Sequence, residues 1–101
     1  MTVLMVSYTV RKEAIADLEY GVDTLMAAIR EARPEGVRYA LCRLPDGVSI
    51  VGLLELDDGV DNPLPGLPAA RAFQENLVGW VEGTPPAPQP LEVLGSYRFF
   101  Q

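Results

Sequence analysis

The amide side chain of Asn76 stands on an otherwise apolar face of a predicted helix. Phe73, Leu77 and Trp80 surround it at helical spacing, which places all four residues near one buried arc. A buried amide without hydrogen-bond partners costs about 1–3 kcal/mol, so Asn76 needs a partner. The sequence leaves two open: the backbone of a loop, or a ligand held in a pocket beside Trp80.

Three tyrosines on predicted strands are further candidates for such a pocket. Tyr8, Tyr39 and Tyr97 each combine a ring that stacks on an aromatic ligand with a hydroxyl that hydrogen-bonds it. The alternative is that each ring packs in the core with its hydroxyl at the rim. Together with Phe73, they form the predicted substrate-binding set.

The chain contains no histidine, and Cys42 is its one cysteine. Serine and cysteine catalysis through a histidine base is therefore excluded, as are histidine-ligated metals and haem. The acidic segment 55–61 matches no EF-hand loop. We predict neither a metal nor a cofactor, and an internal disulfide is excluded.

Length and charge limit the other classes of partner. The 101 residues carry 8 basic and 14 acidic side chains, for a net charge of −6, and 49% are hydrophobic. An acidic chain without a basic cluster is unsuited to nucleic acid or anionic lipid. No apolar run approaches the roughly 20 residues that a membrane span needs, and the N-terminus lacks a signal-peptide pattern. We expect one domain, residues 1–101, in the reducing cytoplasm.

Hydrophobic periodicity predicts the element order β-α-β-β-α-β. The predicted strands cover 3–10, 37–44, 48–56 and 91–100, and the predicted helices cover 14–33 and 68–82. An acidic and then proline-rich loop precedes the second helix, and the segment 84–90 reads as a polyproline II connector.

This order is the ferredoxin-like arrangement, an α+β fold with an antiparallel four-stranded sheet and helices on one face. Strands one and three are expected in the centre. Both are apolar on both faces, so the face without helices presents a large apolar patch. Two such faces packed together would bury it, and we therefore predict a homodimer.

The chain resembles the antibiotic biosynthesis monooxygenase-like family of dimeric α+β barrels. The resemblance covers nearly the whole chain and rests on element order, length, the segment from Asn62 to Asn76 and the ending Leu94-Gly-Ser-Tyr97. It implies a small apolar or aromatic substrate held between sheet and helices. Some members oxidise phenols or quinols without metal or flavin, whereas members that degrade haem rely on a histidine, which this chain lacks.

The catalytic set that this resemblance implies is Asn76, Trp80 and Arg98. Cofactor-independent members place an Asn and a Trp one turn apart with an Arg nearby. The amide hydrogen-bonds an oxyanion, the indole stacks on the ring and the guanidinium steadies negative charge. Arg98 has the alternative of simply ending an edge strand. Two functions stay open: oxidation of a small phenol or quinol by O₂, and a non-catalytic barrel that binds a small ligand or another protein.

Overall fold

The computed structural model describes residues 1–100. It contains strands β1 (Thr2–Thr9), β2 (Val37–Arg43), β3 (Ser49–Leu56) and β4 (Gln89–Leu91), and helices α1 (Ile15–Ala32) and α2 (Pro68–Trp80). Short 3-10 turns precede each helix, at Lys12–Ala14 and Leu64–Gly66. The predicted order β-α-β-β-α-β is confirmed. Neither helix within residues 1–100 is long and apolar enough to cross a membrane.

The four strands form one antiparallel sheet in the order β2-β3-β1-β4. The prediction that strands one and three are central is confirmed. Alternate residues along β3 then face opposite sides: Ile50 is buried in the core shared with the helices, and Val51 is half-buried on the other face. We call that second side the open face.

The core lies between the sheet and the two helices. Its most deeply buried members are Val10 and Val81, at 1% and 0% exposure. These two valines pair across an isolated bridge, and the Arg11 side chain donates a hydrogen bond to the carbonyl of Val81 at 3.1 Å. The end of β1 is therefore tied to the end of α2, which fixes how α2 crosses the sheet.

An ion pair lies at one end of the open face. Glu55 is a buried carboxylate, 6% exposed, directly opposite Arg38 in the register of β2 and β3. The Arg38 guanidinium approaches Glu55 at 3.3 Å and Asp57 at 2.9 Å. Pairing with a cation offsets the cost of burying the Glu55 carboxylate.

The last strand is shorter than the sequence predicts. Residues 91–100 were expected as a strand, but β4 covers Gln89–Leu91 and residues 92–100 form none. Leu91 pairs with Val3, and β1 begins at Thr2, so almost no residue of β1 remains to pair with the residues that follow Leu91. Arg98 and Phe100 also have φ angles of 65° and 59°, which are incompatible with extended backbone. The prolines around Gln89 are tolerated because β4 is an edge strand.

A carboxylate closes the hairpin between β2 and β3. Asp46 accepts hydrogen bonds from the backbone N–H groups of Val48 and Ser49, at 3.0 and 2.8 Å, and from the Ser49 hydroxyl at 2.5 Å. The Ser49 hydroxyl and then these backbone donors lower the pKa of Asp46 below its usual value. All three bonds favour the charged form.

We expect this turn to make stability depend on acid pH. Because the pKa of Asp46 is lower in the folded chain, its contribution is present above the unfolded-state pKa of about 4 and is lost as pH falls through the folded-state value. Asp46→Asn should lower the melting temperature at neutral pH and lower it less at an acid pH at which Asp46 is protonated in the folded chain. Asp23→Asn, at an exposed position of α1, is the control. Equal losses for the Asp46 variant at both pH values would contradict the prediction.

Candidate functional site

A cavity of about 520 Å³ opens between α2 and the helix-facing side of the sheet. Apolar side chains line its interior: Leu4, Val6, Leu25, Leu54, Leu64, Ala70 and Phe73. Polar side chains surround its mouth: Asn62, Arg71, Gln74 and Glu75, all of them exposed. We call this cavity the helix–sheet pocket.

Three adjacent strands form the floor of the helix–sheet pocket. Tyr39, Leu54 and Leu4 lie side by side in the register of β2, β3 and β1. The paired residues Gly52 and Val6 lie two residues further along the same face. A Cβ atom at Gly52 would lie 3.0 Å from the side chain of Val6. Because Gly52 has no side chain, the side chain of Val6 can pack directly over its backbone, and the floor stays free of a further side chain.

The roof comes from both helices and from the turn before α2. Leu25 of α1 and Phe73 of α2 are each 3% exposed. The turn is shaped by Asn62, whose side-chain oxygen accepts a hydrogen bond from the N–H of Leu64 at 3.0 Å. Prolines on either side of Leu64 restrict this backbone further. The roof is therefore preformed rather than a loose loop.

Tyr39 is the polar side chain on the floor of the pocket. It is half-buried, and burial raises the pKa of its hydroxyl. Burial and the nearby Tyr39 also raise the pKa of Tyr8, which is 8% exposed. At neutral pH the Tyr39 hydroxyl is thus a neutral group that donates and accepts hydrogen bonds.

The structure brings two of the predicted site residues to the pocket. Tyr39 and Phe73, both predicted to bind substrate, line it. Tyr8 is buried in the adjoining core and does not line it. Tyr97 is 78% exposed, and Arg98 is exposed beside it with its guanidinium carbon 5.2 Å from the Tyr97 ring centre. Both lie on the segment after β4, away from the pocket lining.

Asn76 and Trp80 also lie outside the pocket lining. The expectation that Asn76 is buried is wrong: it is exposed, because the buried line of α2 runs through Ala70, Phe73 and Leu77 and leaves Asn76 at its edge. Trp80 is half-buried and packs edge-on against Phe73, with ring centres 5.8 Å apart. A Cβ atom at Gly21 of α1 would lie 2.7 Å from the indole, so Trp80 packs between the two helices and does not line the cavity.

Sequence reasoning missed the polar residues at the mouth. Asn62, Arg71 and Gln74 lie on a turn and on the exposed side of a helix, where no periodic pattern marks them. Gly52 was the available signal, because a glycine inside a central strand often marks a close approach or a ligand. Within residues 1–100, no three side chains of His, Cys, Asp or Glu form a cluster suited to a metal ion.

Comparison with solved structures shows the same fold in an L-rhamnose mutarotase from Formosa agariphila. The two chains align with a TM-score of 0.60 over 95% of this chain and 98% of that chain, at 13% sequence identity. No protein-family model matches the chain, and neither does any curated protein. At this identity the likeness shows the ferredoxin-like α+β fold. The resemblance to the monooxygenase-like family stays a prediction from the sequence.

Proposed function

We propose that this protein binds a small apolar or aromatic molecule in the helix–sheet pocket. The observation that carries the proposal is a cavity of about 520 Å³ whose interior is apolar and whose mouth is polar. Small-molecule sites typically enclose about 300–1,000 Å³ and combine a mostly apolar lining with a few polar groups. Because protein cores are otherwise close-packed, an apolar recess of this size favours a ligand over a packing defect.

The interior suits an apolar body better than a sugar. L-rhamnose, which the structural neighbour is named for, carries a hydroxyl on most of its carbons, and each needs a partner when it is buried. Tyr39 is the one polar side chain among the interior positions that the structure describes. An aromatic ring would instead meet Phe73 and the leucines of floor and roof, where contact area stabilises it.

Binding without chemistry is the function that the geometry favours. Oxidation of a phenol or quinol needs a base near the reacting hydroxyl, but burial keeps the hydroxyl of Tyr39, the polar group of the interior, protonated at neutral pH, so it cannot accept that proton. The residues expected to stabilise an oxyanion and to stack on the ring, Asn76 and Trp80, do not line the pocket. The monooxygenase hypothesis therefore stays a prediction of the sequence resemblance.

We expect a side chain that enters the pocket to displace the ligand. Ala70 is 8% exposed and lines the cavity, whereas Ala72 on the same helix is exposed and does not. Ala70→Met should weaken the binding of naphthol, measured by calorimetry, by about tenfold or more, since lost contact area of this size exceeds ~1.4 kcal/mol. Ala72→Met should leave the affinity unchanged.

The circular dichroism spectrum and melting temperature of both methionine variants establish that they are folded. In the wild type, backbone NMR shifts on titration with naphthol should concentrate at Leu54, Tyr39 and Phe73. Naphthol that fails to bind saturably, or that binds the Ala70 variant as tightly as the wild type, would contradict the proposed function.

We propose further that two copies pair through the open face of the sheet. Met5, Val51 and Leu53 share this face and are half-buried in the single chain. A second copy would remove this apolar surface from water, which is the main favourable term in most association. Cys42, an exposed free thiol on the same face, would stay reduced in the cytoplasm, where we place the protein.

A further inference from the structure

We infer that the ligand of the helix–sheet pocket carries a carboxylate and that Arg71, at the mouth, binds it. This inference rests on the proposed function and gives its ligand a chemical class: a small apolar carboxylic acid. The apolar body would occupy the interior between Phe73 and Leu54, and the charged group would stay at the solvent-facing mouth. Such a division keeps the charge hydrated and avoids the cost of burying it.

Arg71 is held over the mouth by the turn before α2. One guanidinium nitrogen, Nη1, donates a hydrogen bond to the carbonyl of Pro65 at 3.0 Å, and both residues line the pocket. A guanidinium has five N–H donors in a planar fork that matches a carboxylate, so most of them stay available. Because the side chain is already tethered, less conformational freedom is lost when an anion binds.

The Arg71 guanidinium has no carboxylate partner within ion-pairing distance among residues 1–100. Arg38, by contrast, has two such partners and Arg43 has one. Glu75 lies one helical turn after Arg71 and also lines the mouth, so it repels an anion and must be included in the test. The pairing position on Arg71 is nonetheless open for the carboxylate of a ligand.

Helix stability does not explain a cation at this position. Arg71 lies in the first turn of α2, and this turn contains no acidic residue. The partial positive charge at a helix N-terminus favours anions there and disfavours cations. An arginine placed against this preference, and tethered toward a cavity, points to a role in binding.

Two amides beside Arg71 supply further donors. The side-chain oxygen of Asn62 is engaged by the N–H of Leu64 at 3.0 Å, which leaves its NH₂ group as the free end. Gln74 lies one turn after Ala70 at the same mouth. Apart from the Glu75 carboxylate, the mouth thus offers the Arg71 guanidinium and two amide NH₂ groups as donors to a carboxylate.

The test compares naphthoate with its neutral isostere naphthamide by calorimetry at pH 7 and low ionic strength. Wild-type protein should bind naphthoate about tenfold more tightly, the size of one charge-assisted hydrogen-bonded contact at a solvated site. Arg71→Gln should abolish this preference by weakening naphthoate alone. Arg71→Lys should retain part of it, and Glu75→Gln should increase it.

The control is Arg30→Gln, which removes the same charge from an exposed position of α1 outside the pocket. It should leave both affinities unchanged. Equal binding of acid and amide by the wild type, or equal weakening of both by Arg71→Gln, would overturn the role of Arg71 while the apolar pocket stands. If neither compound binds, and naphthol does not bind either, the proposed function fails together with this inference.

Discussion

Ile50→Asp should leave the chain unfolded, whereas Val51→Asp should leave it folded and monomeric. The two residues are neighbours on β3 and point to opposite faces of the sheet. Ile50 is 4% exposed in the core beside Tyr8, where an unpaired carboxylate costs several kcal/mol out of a total stability of about 5–15 kcal/mol. Val51 is half-buried on the open face, so a carboxylate there is solvated in the single chain and buried only in the dimer.

Circular dichroism and light scattering after gel filtration separate these outcomes. The wild type should have about twice the 11.0 kDa mass of the chain at micromolar concentration, and Val51→Asp should have the mass of one chain with an unchanged spectrum. Val51→Thr, which keeps the shape of the side chain, is the matched control and should stay dimeric. A monomeric wild type would refute the dimer, and a dimeric Val51→Asp variant would move the interface to another surface.

Much of the fold follows from local patterns in the sequence. Strand alternation and helix periodicity predict β1, β3, α1 and α2 because each of these elements buries one continuous stripe or two apolar faces. The length of β4 could not be predicted this way. A short edge strand is limited by its partner, and β1 has almost no residue left to pair beyond Val3. The apolar residues after Leu91 indicate extended backbone by composition, yet composition does not reveal where a partner ends.

The candidate site was less predictable because several elements build it. Phe73 and Tyr39 were identified from their types and faces, and both line the pocket. Asn76 was misjudged because a helical wheel shows direction around the axis and not how far the neighbouring helix covers it. Arg71 and Asn62 come from a turn and a helix start, where side-chain roles depend on the three-dimensional path of the backbone.

The role of the glycine in the middle of α1 likewise depends on the three-dimensional packing of the two helices. From the sequence, Gly21 is a helix-weakening residue that costs nearly 1 kcal/mol relative to alanine. In the structure, a Cβ atom at this position would lie 2.7 Å from Cη2 and 3.1 Å from Cζ3 of the Trp80 indole. Because Phe73 packs against that ring, the indole has little room to move. The absence of a side chain at Gly21 therefore allows α1 and α2 to approach closely.

Gly21→Leu should destabilise the protein by about 1–3 kcal/mol through overpacking, although leucine is the better helix former. Gly79→Leu is the matched control, because a Cβ atom at Gly79 of α2 would meet nothing within 4 Å. It should raise stability by about 0.5 kcal/mol from helix propensity alone. Urea denaturation measures both changes.

Trp80→Phe, which removes the distal ring carbons of the indole, then tests the cause. If contact with the indole is what Gly21 avoids, the double variant Gly21→Leu/Trp80→Phe should be more stable than the sum of the single changes predicts, by about 0.5 kcal/mol or more. Strict additivity would mean that the strain at Gly21 arises elsewhere. A Gly21→Leu variant as stable as Gly79→Leu would show that the two helices separate without cost. The close packing of α1 on α2 would then contribute nothing to the free energy of unfolding.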